Sequence, residues 1–147
     1  MKTMVFTEKE LLKKGPYQKV LDIIDFYNEA TEDYKFWSSD YNMHFGYFSH
    51  GRSNPLKRDS MLNEMNRQVL KRLGLPSSKS LLADLGCGMG ATIRYALQRN
   101  PKLSAIGVTL SHFQVSEGNK LLGQMRGTLL NEDFNVTSLS SNSADGA

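Results

Sequence analysis

Apolar positions follow two rhythms along this chain of 147 residues. Up to residue 76 they recur at helical spacing, and from residue 77 onward short apolar runs alternate with helix-like segments. Thr7, Glu8, Lys9 and Glu10 have capping-box spacing, and Gly15-Pro16 breaks the short helix they would open. Pro16 suits the first turn of a second helix, with Val20, Ile23, Ile24 and Tyr27 on one stripe. Pro55 is expected to open a third, carrying Leu56, Met61, Met65, Val69, Leu70 and Leu73. Gly74 is a good stop for that helix, and Pro76 lies just beyond.

The second half reads strand, loop, helix, strand. The apolar run 81–85 ends in three alternating glycines, Gly86, Gly88 and Gly90, and residues 93–98 look helical. Asn100-Pro101 should end that helix. Residues 103–109 read as a buried second strand, and Ser111 offers an N-cap to the next helix. Residues 127–130 read as a short third strand, followed by Asn131, Glu132, Asp133 and Phe134. A strand ending in a glycine loop that opens a helix is how an open α/β sheet brings backbone close to a nucleotide-like ligand. A Cβ in that loop would block both positive φ and close approach. The same pattern also serves as a plain turn in βα units.

The glycine spacing narrows the chemistry. A dinucleotide fingerprint runs G-x-G-x-x-G, whereas this loop runs G-x-G-x-G with Asp84 two residues ahead. From Asp84 to Gly90 the chain resembles the first motif of class I S-adenosylmethionine-dependent methyltransferases. The resemblance implies that Gly86, Gly88 and Gly90 wrap the methionine and ribose part of that cofactor, with Asp84 near its charged amino-acid end and Cys87 beneath it. A second strand in nucleotide-binding sheets usually ends in an acid for the ribose hydroxyls, but here it ends in Thr109-Leu110-Ser111. The run from Gly107 to Gln114 is similar to a segment of the cyclopropane-fatty-acid-synthase, tocopherol and sterol methyltransferase branch. That similarity implies that Thr109 and Gln114 stand in for the acid, which an amide can do because it both donates and accepts. On its spacing alone, Gln114 reads as an exposed helix residue. The resemblance also implies that Asp133 accepts the adenine amino group and that Phe134 packs on the ring.

Nine of the fourteen aromatic residues fall between Phe26 and Phe48, a density that calls for burial or a ligand. Within this stretch His44, Gly46 and Tyr47 match an H-x-G-Y/F element of the same branch. The resemblance implies that Tyr41 and Tyr47 lie over the cofactor, where an aromatic face can attract a sulfonium. His44 is the candidate general base, since an imidazole titrates near neutrality, or else a hydrogen-bonded structural residue. Cys87 could be read as a nucleophile or as a small polarisable filler beneath the cofactor.

Composition excludes several other classes. Lys plus Arg number 18 against 15 Asp plus Glu, and no basic block stands out, so nucleic acid is not an expected partner. No apolar run approaches a membrane span, and residues 1–4 lack a signal-peptide core. One cysteine excludes an internal disulfide and accords with a reducing cytoplasm. Three scattered histidines and that cysteine lack metal-ligand spacing, so no metal is expected.

The expected fold class is α/β. Residues 1–76 would form a helical, aromatic lid region, and 77–147 the front half of a Rossmann-like methyltransferase sheet. The polar loop 137–143 leads to Ala144-Asp145-Gly146-Ala147, which resembles the opening of a fourth strand. The expectation is therefore a truncated chain whose sheet edge could self-associate. The expected activity is methyl transfer from S-adenosylmethionine to a small-molecule or lipid-like acceptor. An inactive cofactor-binding or interaction remnant is the alternative, and a nicotinamide-dependent oxidoreductase is a further one that the glycine spacing disfavours.

Overall fold

The computed structural model describes residues 16–147 apart from Pro55 and Ser77. The expected helix opened by Thr7, its break at Gly15 and the helix-opening role of Pro55 lie outside the described residues. Helix α1 spans Pro16–Trp37 and α2 spans Arg58–Leu73. They are followed by β1 (Ser80–Leu85), α3 (Ala91–Arg99), β2 (Leu103–Thr109), α4 (His112–Leu122) and β3 (Gly127–Asn131). A short 3-10 turn covers Phe134–Val136. The strands form a parallel sheet in the order β1-β2-β3.

Local signals account for most of these bounds. Gly74 ends α2 in the left-handed conformation at φ 64°, and its N–H caps the Leu70 carbonyl. The Ser111 hydroxyl accepts from the Gln114 N–H and so caps α4. Helix α3 stops at Arg99, just before Asn100-Pro101. In register, Asp84 lies opposite Gly107 and Thr109 opposite Asn131, so all three strands end on one edge of the sheet. The tail returns alongside β1, with Gly146 bridged in parallel to Leu82. The Asp145 N–H donates to the Leu81 carbonyl at 2.9 Å, and the Asp145 carboxylate accepts from the Leu81 N–H at 2.8 Å.

The core gathers Leu82, Ile93, Leu97, Leu103, Leu122 and Leu129 between the sheet and its helices. Leu129 is keyed into it by glycines. A Cβ at Gly107 would lie 2.6 Å from Leu129 Cδ2, one at Gly118 2.3 Å from Leu129 Cδ1, and one at Gly90 3.2 Å from Leu129 Cδ2. These three positions belong to β2, α4 and the residue preceding α3, so one side chain holds three elements at close approach. The Asn119 side chain fixes the same residue from α4, accepting from the Leu129 N–H at 2.9 Å and donating to its carbonyl at 3.0 Å. It thereby covers part of the β3 edge.

The two N-terminal helices depart from expectation. The stripe expected on α1 does not face the core: Ile23 and Tyr27 are each 44% exposed. Among the described side chains of α1, the fully buried one is Thr31. The physical reason is that α1 meets α4 rather than the sheet, and meets it through polar groups. On α2, Leu56 precedes the helix and is exposed, Val69 is half exposed, and the buried positions are Leu62, Glu64 and Asn66. Glu64 is buried because Arg67 and Gln68 saturate its carboxylate, at 2.6–2.8 Å. Those hydrogen bonds, the pair from Arg67 first, pull its pKa down to about 2.

The glycine slot makes a testable claim. Gly118→Ala should gain about 1 kcal/mol in helix propensity but lose more, because its Cβ meets the Met89 carbonyl oxygen at 3.0 Å as well as Leu129. A net loss of about 1–2 kcal/mol is expected. Leu129→Ala alone should cost about 2–5 kcal/mol. Urea unfolding of the double variant should show a smaller loss than the sum of the two; strict additivity would mean that the slot does not couple them.

Candidate functional site

The site grows from the end of β1. The Gly86 and Cys87 N–H groups both donate to the Val108 carbonyl, at 2.8 and 3.0 Å, folding the loop back over β2. Gly86, Gly88 and Gly90 take φ values of 93°, 53° and 72°, in the region that side chains disfavour. Their outlooks differ. A Cβ at Gly90 would point at Leu129, so that glycine serves the core. Among the described residues, a Cβ at Gly86 would meet nothing within 4 Å, and one at Gly88 would meet the Met43 side chain alone. Gly86 therefore turns bare backbone outward at the carboxyl edge of the sheet, while Gly88 turns it towards Met43.

Asp84 lies behind this loop, and among the described residues nothing donates a hydrogen bond to its carboxylate. Burial raises its pKa above the ordinary carboxylate range, and the charge of His44 opposes that rise. The Cys87 thiol is pushed up to about 12, first by burial and then by the Asp84 charge. Its sulfur would lie 2.6 Å from a Cβ at Gly107, which matches the filler reading rather than a thiolate nucleophile. His44 faces acceptor oxygens with both ring nitrogens, the Phe45 carbonyl at Nδ1 and Asn66 Oδ1 at Nε2, each at 2.9 Å. A role as general base requires one of these contacts to break.

At the end of β2 the Thr109 hydroxyl donates to Gln114 Oε1 at 2.8 Å. Gln114 Nε2 donates to the Thr31 hydroxyl at 3.0 Å and lies 3.7 Å from Met43 Sδ. Gln114 is thus not the exposed helix residue that its spacing alone suggests; it is 2% exposed, with its amide engaged by α1. Beyond β3, one Asp133 oxygen accepts from the backbone and side-chain nitrogens of Asn135, capping the 3-10 turn, while Phe134 stays half exposed. Glu132 beside it is taken up by Thr137 and Ser138, whose hydrogen bonds hold its carboxyl below the usual range. Tyr41 holds a left-handed φ of 58°, and the Tyr47 N–H donates to the Met61 carbonyl at 2.9 Å. The rings between Phe26 and Phe48 do not pack into the core: Phe26, Phe36, Trp37, Phe45, Tyr47 and Phe48 are all exposed.

Polar contacts that sequence reasoning did not find fasten the N-terminal elements to this edge. Asn66 receives Thr92 Oγ1 at 3.0 Å as well as His44, and donates to Asn42 at 2.8 Å. Ser111 donates to Asn28 at 2.5 Å. Arg94, 6% exposed, donates to the Met89 carbonyl of the glycine loop and to the Asp40 carbonyl of the segment after α1. Burial lowers its pKa, with the Asp40 charge acting against that. The sequence carried no signal for Arg94: it shares a helix face with Gln98, four residues on, which reads as polar, and its two carbonyl partners are brought to it by tertiary packing.

No family model matches the sequence, and no curated protein matches it. Solved structures do match. Geranyl diphosphate methyltransferase, in complex with GPP and sinefungin, aligns with a TM-score of 0.70 at 23% identity, covering 88% of this chain and 54% of that one. The cyclopropane synthase MmaA2 from Mycobacterium tuberculosis gives 0.69 at 21%, over 79% of this chain and 41% of that one. The chain has the class I methyltransferase fold. Coclaurine N-methyltransferase, bound to N-methylheliamine and SAH, aligns at 0.64 and 17% identity, over 90% of this chain and 44% of that one. The chain spans about half the length of these methyltransferase-fold structures.

The Arg94 clasp can be tested directly. Arg94→Met should destabilise the chain by about 2–4 kcal/mol, because two carbonyls lose a charged donor. Arg94→Lys should recover little, since one ammonium cannot reproduce the two-pronged guanidinium. Chemical unfolding of both variants is the check, and wild-type stability in Arg94→Met would show the clasp to be idle.

Proposed function

We propose that this chain binds S-adenosylmethionine and belongs to a protein that transfers a methyl group to a small-molecule or lipid-like acceptor. The observation that carries this reading is the bare backbone of Gly86, open to solvent, and of Gly88, facing the Met43 side chain, directly after the half-buried Asp84, whose carboxylate has no hydrogen-bond donor among the described residues. A cradle that a Cβ would fill, beside a carboxylate without a donor among the described residues, fits a ligand whose ribose packs on bare backbone and whose amino-acid end carries an ammonium. Sinefungin and SAH in the matched structures accord with this reading.

Gly86, Cys87 and Gly88 would hold the methionyl and ribose part, with Asp84 near the ammonium. Thr109 and Gln114 would serve the ribose, which for Gln114 means exchanging its bond to Thr31. The Asp133 oxygen not used by Asn135 would take the adenine amino group, with Phe134 against the ring. Tyr41 and Tyr47 would close over the site from the lid region, 1–76, onto the sheet region, 77–147. When bound, the cofactor supplies a methyl group activated on a sulfonium. The chain's own task is then placement, since an aligned acceptor needs a base only if it must lose a proton. His44 is the residue for that role. No helix among the described residues is long and apolar enough to cross a membrane. We place the protein in the cytoplasm, with no nucleic-acid partner. We place any self-association at the sheet edge beside β1, which the tail covers only along residues 81–83.

Two experiments bear on this reading. Calorimetric titration should show S-adenosylhomocysteine binding in preference to NAD; tight NAD binding with no response to S-adenosylhomocysteine would sink it. The second concerns pH. Burial raises the Asp84 pKa, and a ligand ammonium beside it would favour the carboxylate. Affinity for S-adenosylhomocysteine should therefore rise with pH through the raised Asp84 pKa, with a proton released on binding below it. Asp84→Asn should bind more weakly and lose that dependence, as titrations in buffers of different ionisation enthalpy would show.

A further inference from the structure

Met43 lies between the lid segment and the cofactor residues proposed above. Its Sδ sits 2.9 Å from where a Cβ of Gly88 would be, and among the described residues beyond the loop neighbours no other side chain comes within 4 Å of that position. The same sulfur is 3.7 Å from Gln114 Nε2. Gln114 in turn accepts from Thr109 and donates to Thr31. Two residues proposed to face the adenosyl ligand, Gly88 and Gln114, thus meet at one thioether. No layer of ligand atoms fits between that sulfur and the Gly88 backbone, because van der Waals contact to carbon already needs more room than the gap provides.

We infer that Met43 is a gate residue of the adenosyl site, standing on the open face of Gly88 and swinging aside when an adenosyl thioether or sulfonium ligand enters. This rests on the function proposed above. The chemistry suits the role. Methionine is unbranched, with several soft torsions, so it can leave the cleft at little cost. Its sulfur is a weak acceptor, so its departure costs the Gln114 amide little. Its neighbours are anchored where it is not: His44 is bonded to Asn66, and Asn42 to Asn66 and Ser38. The segment can therefore stay latched while the Met43 side chain alone moves.

If the inward Met43 conformer dominates, ligand affinity is reduced by the fraction of open molecules, and removing the side chain restores it. Met43→Ala should then bind S-adenosylhomocysteine about five- to tenfold more tightly than the wild-type chain. The second readout is the wild-type chain carrying 13C-methyl methionine, with the Met43 resonance assigned by its loss in Met43→Ala. That resonance should shift as S-adenosylhomocysteine is added, in step with calorimetric saturation. Saturable binding with an unmoved Met43 resonance, or equal or weaker binding by Met43→Ala, would overturn the gate and leave the cofactor reading standing. No binding by either protein would overturn the cofactor reading, and the gate with it.

Discussion

The seating of Leu129 in a slot of three glycines is the constraint on which the rest of this structure depends. Parallel strands need helices packed close to them, and the distance of approach is set by what lies between. Here Gly90, Gly107 and Gly118 remove the Cβ atoms from α3's start, from β2 and from α4, so that a single leucine fills the gap. With the α3 start drawn down onto the sheet, the loop between β1 and α3 has nowhere to go but over Val108, whose carbonyl takes two of its N–H groups. The outward turn of Gly86, and the turn of Gly88 towards Met43, accompany that inward packing. The candidate site is thus a by-product of core geometry, and a substitution that loosened the slot would shift the ligand-facing backbone without touching it.

The N-terminal elements are held on different terms. A buried apolar side chain contributes about 1.5–3 kcal/mol, whereas a neutral hydrogen bond that replaces one to water nets about 0.5–1.5 kcal/mol. Helix α1 leaves Phe26 and Tyr27 largely in solvent and docks through Asn28 to Ser111 and Thr31 to Gln114. Such an interface specifies geometry more than it adds stability. It can also part and re-form in water with little cost in either direction, which suits an element that covers a cleft. Arg94 is the exception, since a buried guanidinium stripped of its carbonyls would be strongly destabilising.

What the sequence revealed follows the same division. The span of β2, the caps at Gly74 and Ser111, and the stop at Arg99 were all legible, because backbone rules with strong local signals set them. The three glycines, their positive φ and the strand-end placement of Asp84 and Asp133 were legible for that reason too. The faces of α1 and α2 were not. Periodicity reports which side of a helix is apolar, and it assumes that this side is buried; polar docking reverses the assumption, so Thr31, Glu64 and Asn66 went inside while Ile23 and Val69 stayed out. Gln114 was picked out by its motif, yet its partner Thr31 lies 83 residues away, and no local pattern encodes that pairing.

The charges at the carboxyl edge bear on which kind of ligand the loop accepts. A glycine loop at a helix N-terminus suits phosphate in general, and by itself does not separate a dinucleotide from an adenosyl amino acid. On the function proposed above, Asp84 would separate them. Its carboxylate is half-buried, and partial desolvation raises its pKa while the His44 charge opposes that rise. A pyrophosphate would bring further negative charge against it, and the low local dielectric would amplify the repulsion. A cationic ammonium would instead supply the missing partner and relieve the cost of burying the acid. Cys87 follows the same logic, because a thiol held neutral up to about 12 adds no second anion beside Asp84. The spacing of the glycines and the electrostatics behind them are independent properties of this chain, and both favour a ligand that is positive where it meets β1.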